Sequence, residues 1–258
     1  MDPAKHLEAP GICVKRAPRP ASVLIKKLKD FGIKTNLEMM LSSGDVVIEQ
    51  LKHFNDPVFS QLGHHVYHLG ANRNQDILSQ PELQIELTES IENANFLLVS
   101  AYMDANEDLN QYDTLLQKAA SLHLPFICTN PDKEIPFEDE IRYCAGFLAE
   151  KYERMGGVVH YYGKPYLSIY KGAFQRLAKL GILDKKRMLM IGDTLETDIK
   201  GANLAGLDSA LVLGGNTQLL LDKQNGSNSS TAELLLELFQ ETKASPTWVL
   251  EGLNLNEA

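Results

Sequence analysis

Two aspartates five residues apart, Asp193 and Asp198, stand in the stretch IGDTLETDIKGANLAG (Ile191–Gly206), and Lys164 stands in YYGKPYLSIY (Tyr161–Tyr170). RMLMI ahead of Gly192 reads as a buried-type strand, and the glycine allows a sharp turn at its end. Asp193 then falls at the carboxyl end of a strand, where open α/β sheets bind their ligands. Thr194 and Thr197 are placed to cap the next helix, whose first turn presents Asp198. Two carboxylates there can hold a hard cation such as Mg²⁺, which takes oxygen ligands and keeps waters and substrate phosphate around it. The plainer alternative makes Asp198 a helix cap and Asp193 a turn residue. Lys164 follows a strand and a glycine and precedes a proline that opens a helix. An ammonium there can neutralise a phosphate or a carboxylate nucleophile in phosphoryl transfer. A lysine by itself is an ordinary surface group; the acidic turn that follows is what makes this one a candidate.

Two further segments carry weaker signals. TNPDKEIP (Thr129–Pro136) is a strand end running into a polar turn with Asn130 and Asp132, and turn chemistry alone accounts for both. KRAPRPAS (Lys15–Ser22) offers Lys15, Arg16 and Arg19 to an anion at a helix start, with an exposed basic turn as the default reading. GHHVYHLG holds His64, His65 and His68. On a strand His64 and His68 share one face and His65 points the other way, so a zinc site is disfavoured.

The elements that must position these groups follow from the hydrophobic pattern. HVYHLG, NFLLVS, PFICTN, VVHYYG, RMLMIGD and SALVLGG are short, branched and apolar, as strands are. PASVLIKKLKDFG and PYLSIYKGAFQRLAKLG each open on proline and close on glycine, as helices do. Ser230 and Glu233 form a capping box before LLLELF, and TWVLEG can add a last strand. Strands alternating with helices predict an α/β fold with a parallel sheet. At 258 residues the chain can bury a full core. A net charge of −9 argues against general nucleic-acid binding. Three scattered cysteines fit a reducing, cytoplasmic setting. The start has no basic segment leading into an apolar run, and no apolar stretch is long enough to span a bilayer. The expectation is a soluble protein, with no nucleic acid and no membrane as partner.

Taken in order, these segments resemble phosphatases of the haloacid dehalogenase superfamily with a class IIA cap, the sugar-phosphatase and nitrophenylphosphatase (NagD-like) group. RAPRPAS is similar to the segment after that group's second motif, and SSGDVVIEQL to its next core segment. TNPD resembles its cap loop, GKPYLSIY its third motif and GDTLETDIKGANLAG its fourth. The resemblance covers nearly the whole chain from about Val14. It implies a Rossmann-like parallel-sheet core, at residues 1–62 and 158–258, with an inserted α/β cap at 63–157. It implies Mg²⁺ at Asp193 with Asp198 supporting, a phosphate-steadying Lys164, and substrate choice by Asn130 and Asp132. A small phosphorylated metabolite, of sugar-phosphate type, is the implied substrate, and a homodimer is possible because caps of this group often meet across dimers.

The pattern also breaks. In the group a strand ending in Asp-x-Asp precedes the second motif; its first Asp attacks phosphorus and its second works as general acid and base. Here Met1 to Cys13 offer Asp2 and Glu8, and MDPA follows no strand. Lys15 and Arg16 stand where the group has a Ser or Thr and an Asn; they can attract phosphate but not reproduce a hydroxyl's compact geometry. The absent strand is central in the superfamily's sheet. Losing three or four buried side chains at ~1.5–3 kcal/mol each would leave the core marginal. A reading frame shortened at its start explains the pattern most simply. Three readings follow: a Mg²⁺-dependent phosphatase, little active as encoded; a non-catalytic relative that binds a phosphorylated ligand or a partner; and a vestigial fragment with neither property. A response-regulator receiver fits worse, having no place for the middle insertion.

Overall fold

FLLV (Phe96–Val99) is apolar at every position, and in the computed structural model of the chain all four side chains are buried. A strand inside a parallel sheet needs that composition, because other elements cover both its faces. The structure describes residues 11–252 apart from 16, 31, 55, 71–75, 81, 101–107, 138–139 and 224–229. Asp2, Glu8 and Arg16 therefore lie outside the described residues. Ile12–Gly163 form one unit, and Lys164 onward belongs to a second.

The first unit begins with β1 (Cys13–Lys15), α1 (Ala21–Asp30), β2 (Met40–Ser42) and α2 (Ser43–His53), with β1 and β2 parallel. The Ser42 hydroxyl accepts the Asp45 N–H at 2.9 Å, and Asp45 Oδ2 accepts the Ser42 N–H at 2.8 Å, which closes a capping box on α2. The other Asp45 oxygen accepts the Ala21 N–H at 2.9 Å, and Ser43 Oγ donates to the Ala17 carbonyl at 2.8 Å. The KRAPRPAS segment is thereby docked on the SSGD turn. There follow β3 (His65–Leu69), β4 (Glu86–Leu87), β5 (Phe96–Val99), α3 (Gln111–Ser121), β6 (Phe126–Cys128), the antiparallel pair β7 (Glu134–Phe137) and β8 (Glu140–Tyr143), α4 (Ala145–Arg154) and β9 (Val159–Tyr161).

Strands β4-β3-β5-β6-β9 form a five-stranded parallel sheet. Side chains alternate along each strand, so Leu97, Val99, Phe126 and Cys128 share one core with Leu116, Leu148 and Tyr152 of α3 and α4. Val66, Phe96, Leu98 and Ile127 share the other with Val47, Ile48 and Leu51 of α2 and with Phe59. Helix α2 is thus a layer of this sheet, and VVHYYG supplies its edge strand. This compact unit runs from Ile12 to Gly163.

The second unit contains α5 (Leu167–Lys179), β10 (Leu189–Gly192), α6 (Lys200–Ala205), β11 (Asp208–Val212), α7 (Gly215–Lys223), α8 (Thr231–Thr242) and β12 (Trp248–Leu250). Its sheet is parallel in the order β10-β11-β12. Leu195, Ile199, Leu211, Leu234, Leu235 and Leu238 form its core. The capping box of Ser230 and Glu233 starts α8 as its sequence predicts. RMLMI is not fully buried, however: Leu189 is 48% and Ile191 46% exposed. The reason is that β10 pairs on one side alone among the described residues, which leaves it an edge strand. No helix among the described residues is long and apolar enough to cross a membrane.

Candidate functional site

The turn after β10 gathers three of the groups that the sequence singles out. Lys164 Nζ donates to Asp198 Oδ1 at 2.5 Å, with 12% of the lysine side chain and 6% of the aspartate side chain exposed. The second Asp198 oxygen accepts the Thr194 N–H at 3.2 Å. Asp198 is therefore engaged at both oxygens, and its immediate work is to hold Lys164. Asp193 lies one residue before Thr194, whose hydroxyl donates to Asp193 Oδ1 at 3.3 Å. One threonine thus bridges the two acids.

Local sequence explains how the acids come so close to the backbone. A Cβ added to Gly192 would fall inside the Asp198 side chain, so only glycine fits at the end of β10. Leu195–Ile199 form a π-helical turn ahead of α6, a distortion that recurs at functional sites. Tyr170 of α5 donates to the Asp198 carbonyl at 3.3 Å, and its ring fills the space that Gly201 leaves open. The threonines do not cap as their positions suggest. The Thr194 hydroxyl turns to Asp193, and Thr197 Oγ1 is buried with no hydrogen-bond partner among the described residues.

The loop after β11 completes the surroundings of Asp193. Asp193 Oδ2 accepts the Asn216 N–H at 2.9 Å, and the Asp193 carbonyl accepts the Thr217 N–H at 3.1 Å and its hydroxyl at 2.6 Å. A Cβ on Gly215 would fall inside the Asp193 carboxylate. These residues lie in GGNT, which the sequence reading treats only as a strand end. The fold brings them to Asp193: β11 runs parallel to β10, with Leu211 opposite Gly192, so both carboxyl ends open on one side.

A divalent cation fits this donor set in part. Asp193 supplies a hard oxygen ligand in space kept clear by glycine, and Mg²⁺ is commonly held by one or two carboxylates with water completing its shell. Among the described residues no cluster of three or more His, Cys, Asp or Glu is arranged to hold a metal ion. The histidines of GHHVYHLG are dispersed accordingly: His64 meets the Gln84 carbonyl, His65 approaches Glu86, and His68 meets Ser100.

The other sequence candidates are in the first unit. Lys15 is exposed at the end of β1, opposite Ser42. Asn130 and Asp132 follow β6, where Asn130 Oδ1 accepts the Asp132 N–H at 3.2 Å and the Gly146 N–H donates to the Asp132 carbonyl at 3.0 Å. The loop is thereby fixed to the start of α4.

Comparison with known proteins adds the decisive observation. The HAD-hydrolase-like family model matches residues 161–254, the span that holds Lys164, Asp193 and Asp198. A haloacid dehalogenase-like hydrolase from Brucella suis 1330 superimposes with a TM-score of 0.73 at 30% identity, over 94% of this chain and 83% of that one. The chain belongs to the haloacid dehalogenase-like hydrolases. The p-nitrophenyl phosphatase of Archaeoglobus fulgidus shares this fold, with a TM-score of 0.70 at 20% identity over 94% of this chain and 83% of its own. The dihydroxyacetone phosphatase of Corynebacterium glutamicum (strain R) is 34% identical over 91 residues, 35% of this chain. The match spans about a third of the length of that curated relative (32%). The likeness to this superfamily seen in the sequence, and the α/β fold with a parallel sheet that it implied, are thus both found.

Proposed function

We propose that Lys164, Asp193 and Asp198 form the metal- and phosphate-binding half of a phosphomonoesterase for a small phosphorylated metabolite. The observation that carries this reading is the buried Lys164–Asp198 pair at the carboxyl end of β10, one turn from Asp193. Asp193 would hold Mg²⁺, which when bound neutralises phosphoryl oxygens. Lys164 draws the phosphate dianion, and Asp198 fixes the ammonium in place of water. Asn130 and Asp132 are assigned to substrate choice and Lys15 to electrostatic attraction. The dihydroxyacetone phosphatase and p-nitrophenyl phosphatase relatives support a phosphorylated substrate of small size.

In the group that the sequence resembles, an Asp carboxylate attacks phosphorus. These 258 residues contain no Asp-x-Asp pair ahead of GICVKRAPRP, and the reading assigns them binding with little or no turnover. The test is thermal unfolding with Mg²⁺ and inorganic phosphate, beside hydrolysis of p-nitrophenyl phosphate. Ligand at a hundredfold over its Kd stabilises a protein by about 2.7 kcal/mol. The expected result is a Mg²⁺-dependent rise in melting temperature that Asp193→Asn removes, with negligible hydrolysis. Absence of any rise would sink the binding reading. Turnover that Asp193→Asn abolishes would keep the site and overturn the assigned inactivity.

A further inference from the structure

Asn216 makes two separate connections to one carboxylate. Its backbone N–H donates to Asp193 Oδ2 at 2.9 Å. Its side-chain Nδ2 donates to Thr194 Oγ1 at 2.8 Å, and that hydroxyl donates in turn to Asp193 Oδ1 at 3.3 Å. The chain of donors is consistent, since the hydroxyl accepts from the amide and gives its single proton to the acid. Each Asp193 oxygen accepts one of these bonds and keeps a lone pair free. Gly215, at φ +49°, makes the approach possible, because a Cβ there would overlap the carboxylate. Thr217, fully buried, anchors the same loop through two bonds to the Asp193 carbonyl.

We propose that Asn216 is a positioning residue that orients the Asp193 carboxylate toward a divalent cation. This rests on the metal reading of Asp193. Asn216 is itself exposed at the start of α7 and packs into no core, so stability does not require an asparagine there. What it does is restrict rotation of Asp193 while leaving lone pairs on both oxygens for the ion. Groups that hydrogen-bond a ligating carboxylate in this way typically govern metal affinity by ~10–100-fold.

The experiment is Mg²⁺ titration of the full chain by calorimetry, paired with Mn²⁺ binding followed by electron paramagnetic resonance. Asn216→Ala removes the side-chain arm and keeps the N–H. Asn216→Pro removes both, at a first-turn helix position that tolerates proline. Asn216→Ala is expected to weaken Mg²⁺ about 10-fold while the metal-free melting temperature stays within about 2–3 °C of the parent. Asn216→Pro is expected to weaken it further. Thr217→Val should weaken binding as well, with Thr217→Ser restoring it. Asp193→Asn separates the two levels of the argument. If it abolishes binding while Asn216→Ala stays within about twofold of the parent, the positioning role is wrong and the metal site stands. If Asp193→Asn binds like the parent, or the parent binds no Mg²⁺, the metal reading fails and takes the positioning role with it.

Discussion

In the unit after Gly163, Lys164 faces a carboxylate at 2.5 Å; in the unit before it, His68 faces the Ser100 hydroxyl at 2.7 Å. Both basic groups are largely withdrawn from water. The carboxylate compensates the ammonium for the hydration it loses, provided the geometry is good. A hydroxyl does not do so for an imidazolium, and burial pushes His68 down from 6.5 to about 4. The comparison separates a basic side chain buried against a carboxylate from one that burial alone makes neutral. Both side chains are basic and largely buried, and they differ in the partner each meets.

The strongest way to break that contrast is to remove the cation of the buried pair. Lys164→Met leaves the Asp198 carboxylate buried without its cation, which should destabilise the second unit by about 3–5 kcal/mol. Adding Asp198→Leu should recover much of the loss, since a well-packed apolar pair can replace a buried ion pair. Urea unfolding of the single and double variants measures both. A single variant as stable as the parent would show that the pair carries no buried charge worth compensating.

His68 gives the second test, through pH. Above pH 6.5 its imidazole is neutral in folded and unfolded chains alike. Between 6.5 and about 4 the unfolded chain takes up a proton that the folded chain refuses. Stability therefore falls as pH falls through that window, by roughly 3 kcal/mol in all. His68→Gln should flatten this part of the curve in denaturant titrations run between pH 7 and pH 4.5. An unchanged slope would mean that other groups set the acid response.

The contrast also marks what the sequence could reveal. The strand–helix grammar located β3, β5, β6, β9, β10, β11 and β12, because apolar branched runs and Pro/Gly punctuation are local properties. It did not locate β2 or β4, strands of three and two residues. The antiparallel pair β7–β8 escaped because EIPF and EIRY are flanked by turn residues and charges that mask a strand pattern. Asp193 and Lys164 were legible from their position at strand ends. The bond between Lys164 and Asp198 was not, since 34 residues separate them and only the fold brings them together. GGNT was passed over because glycine after a strand reads as a turn. Its use, opening room for the Asp193 carboxylate, is a tertiary fact.

The smallest expected effect concerns the loop after β6, and it sharpens the comparison by setting an acid and an amide of one turn side by side. The side-chain oxygen of Asn130 accepts the Asp132 N–H, and its carbonyl takes the Cys128 thiol at 3.3 Å. Asn130 is 6% exposed, so its side chain is packed as well as bonded. Asn130→Ala loses one such bond and should cost about 0.5–1.5 kcal/mol. If Asn130 serves only the turn, phosphate binding in the presence of Mg²⁺ should be unchanged once the variant is measured well below its melting temperature. Asp132 keeps its carboxylate on this loop, and Asp132→Asn leaves the backbone bond to Asn130 in place. A change in preference among small phosphate esters on Asp132→Asn, with none on Asn130→Ala, would assign recognition to the acid and structure to the amide. Equal effects from both would erase that distinction and make the loop a single recognition element.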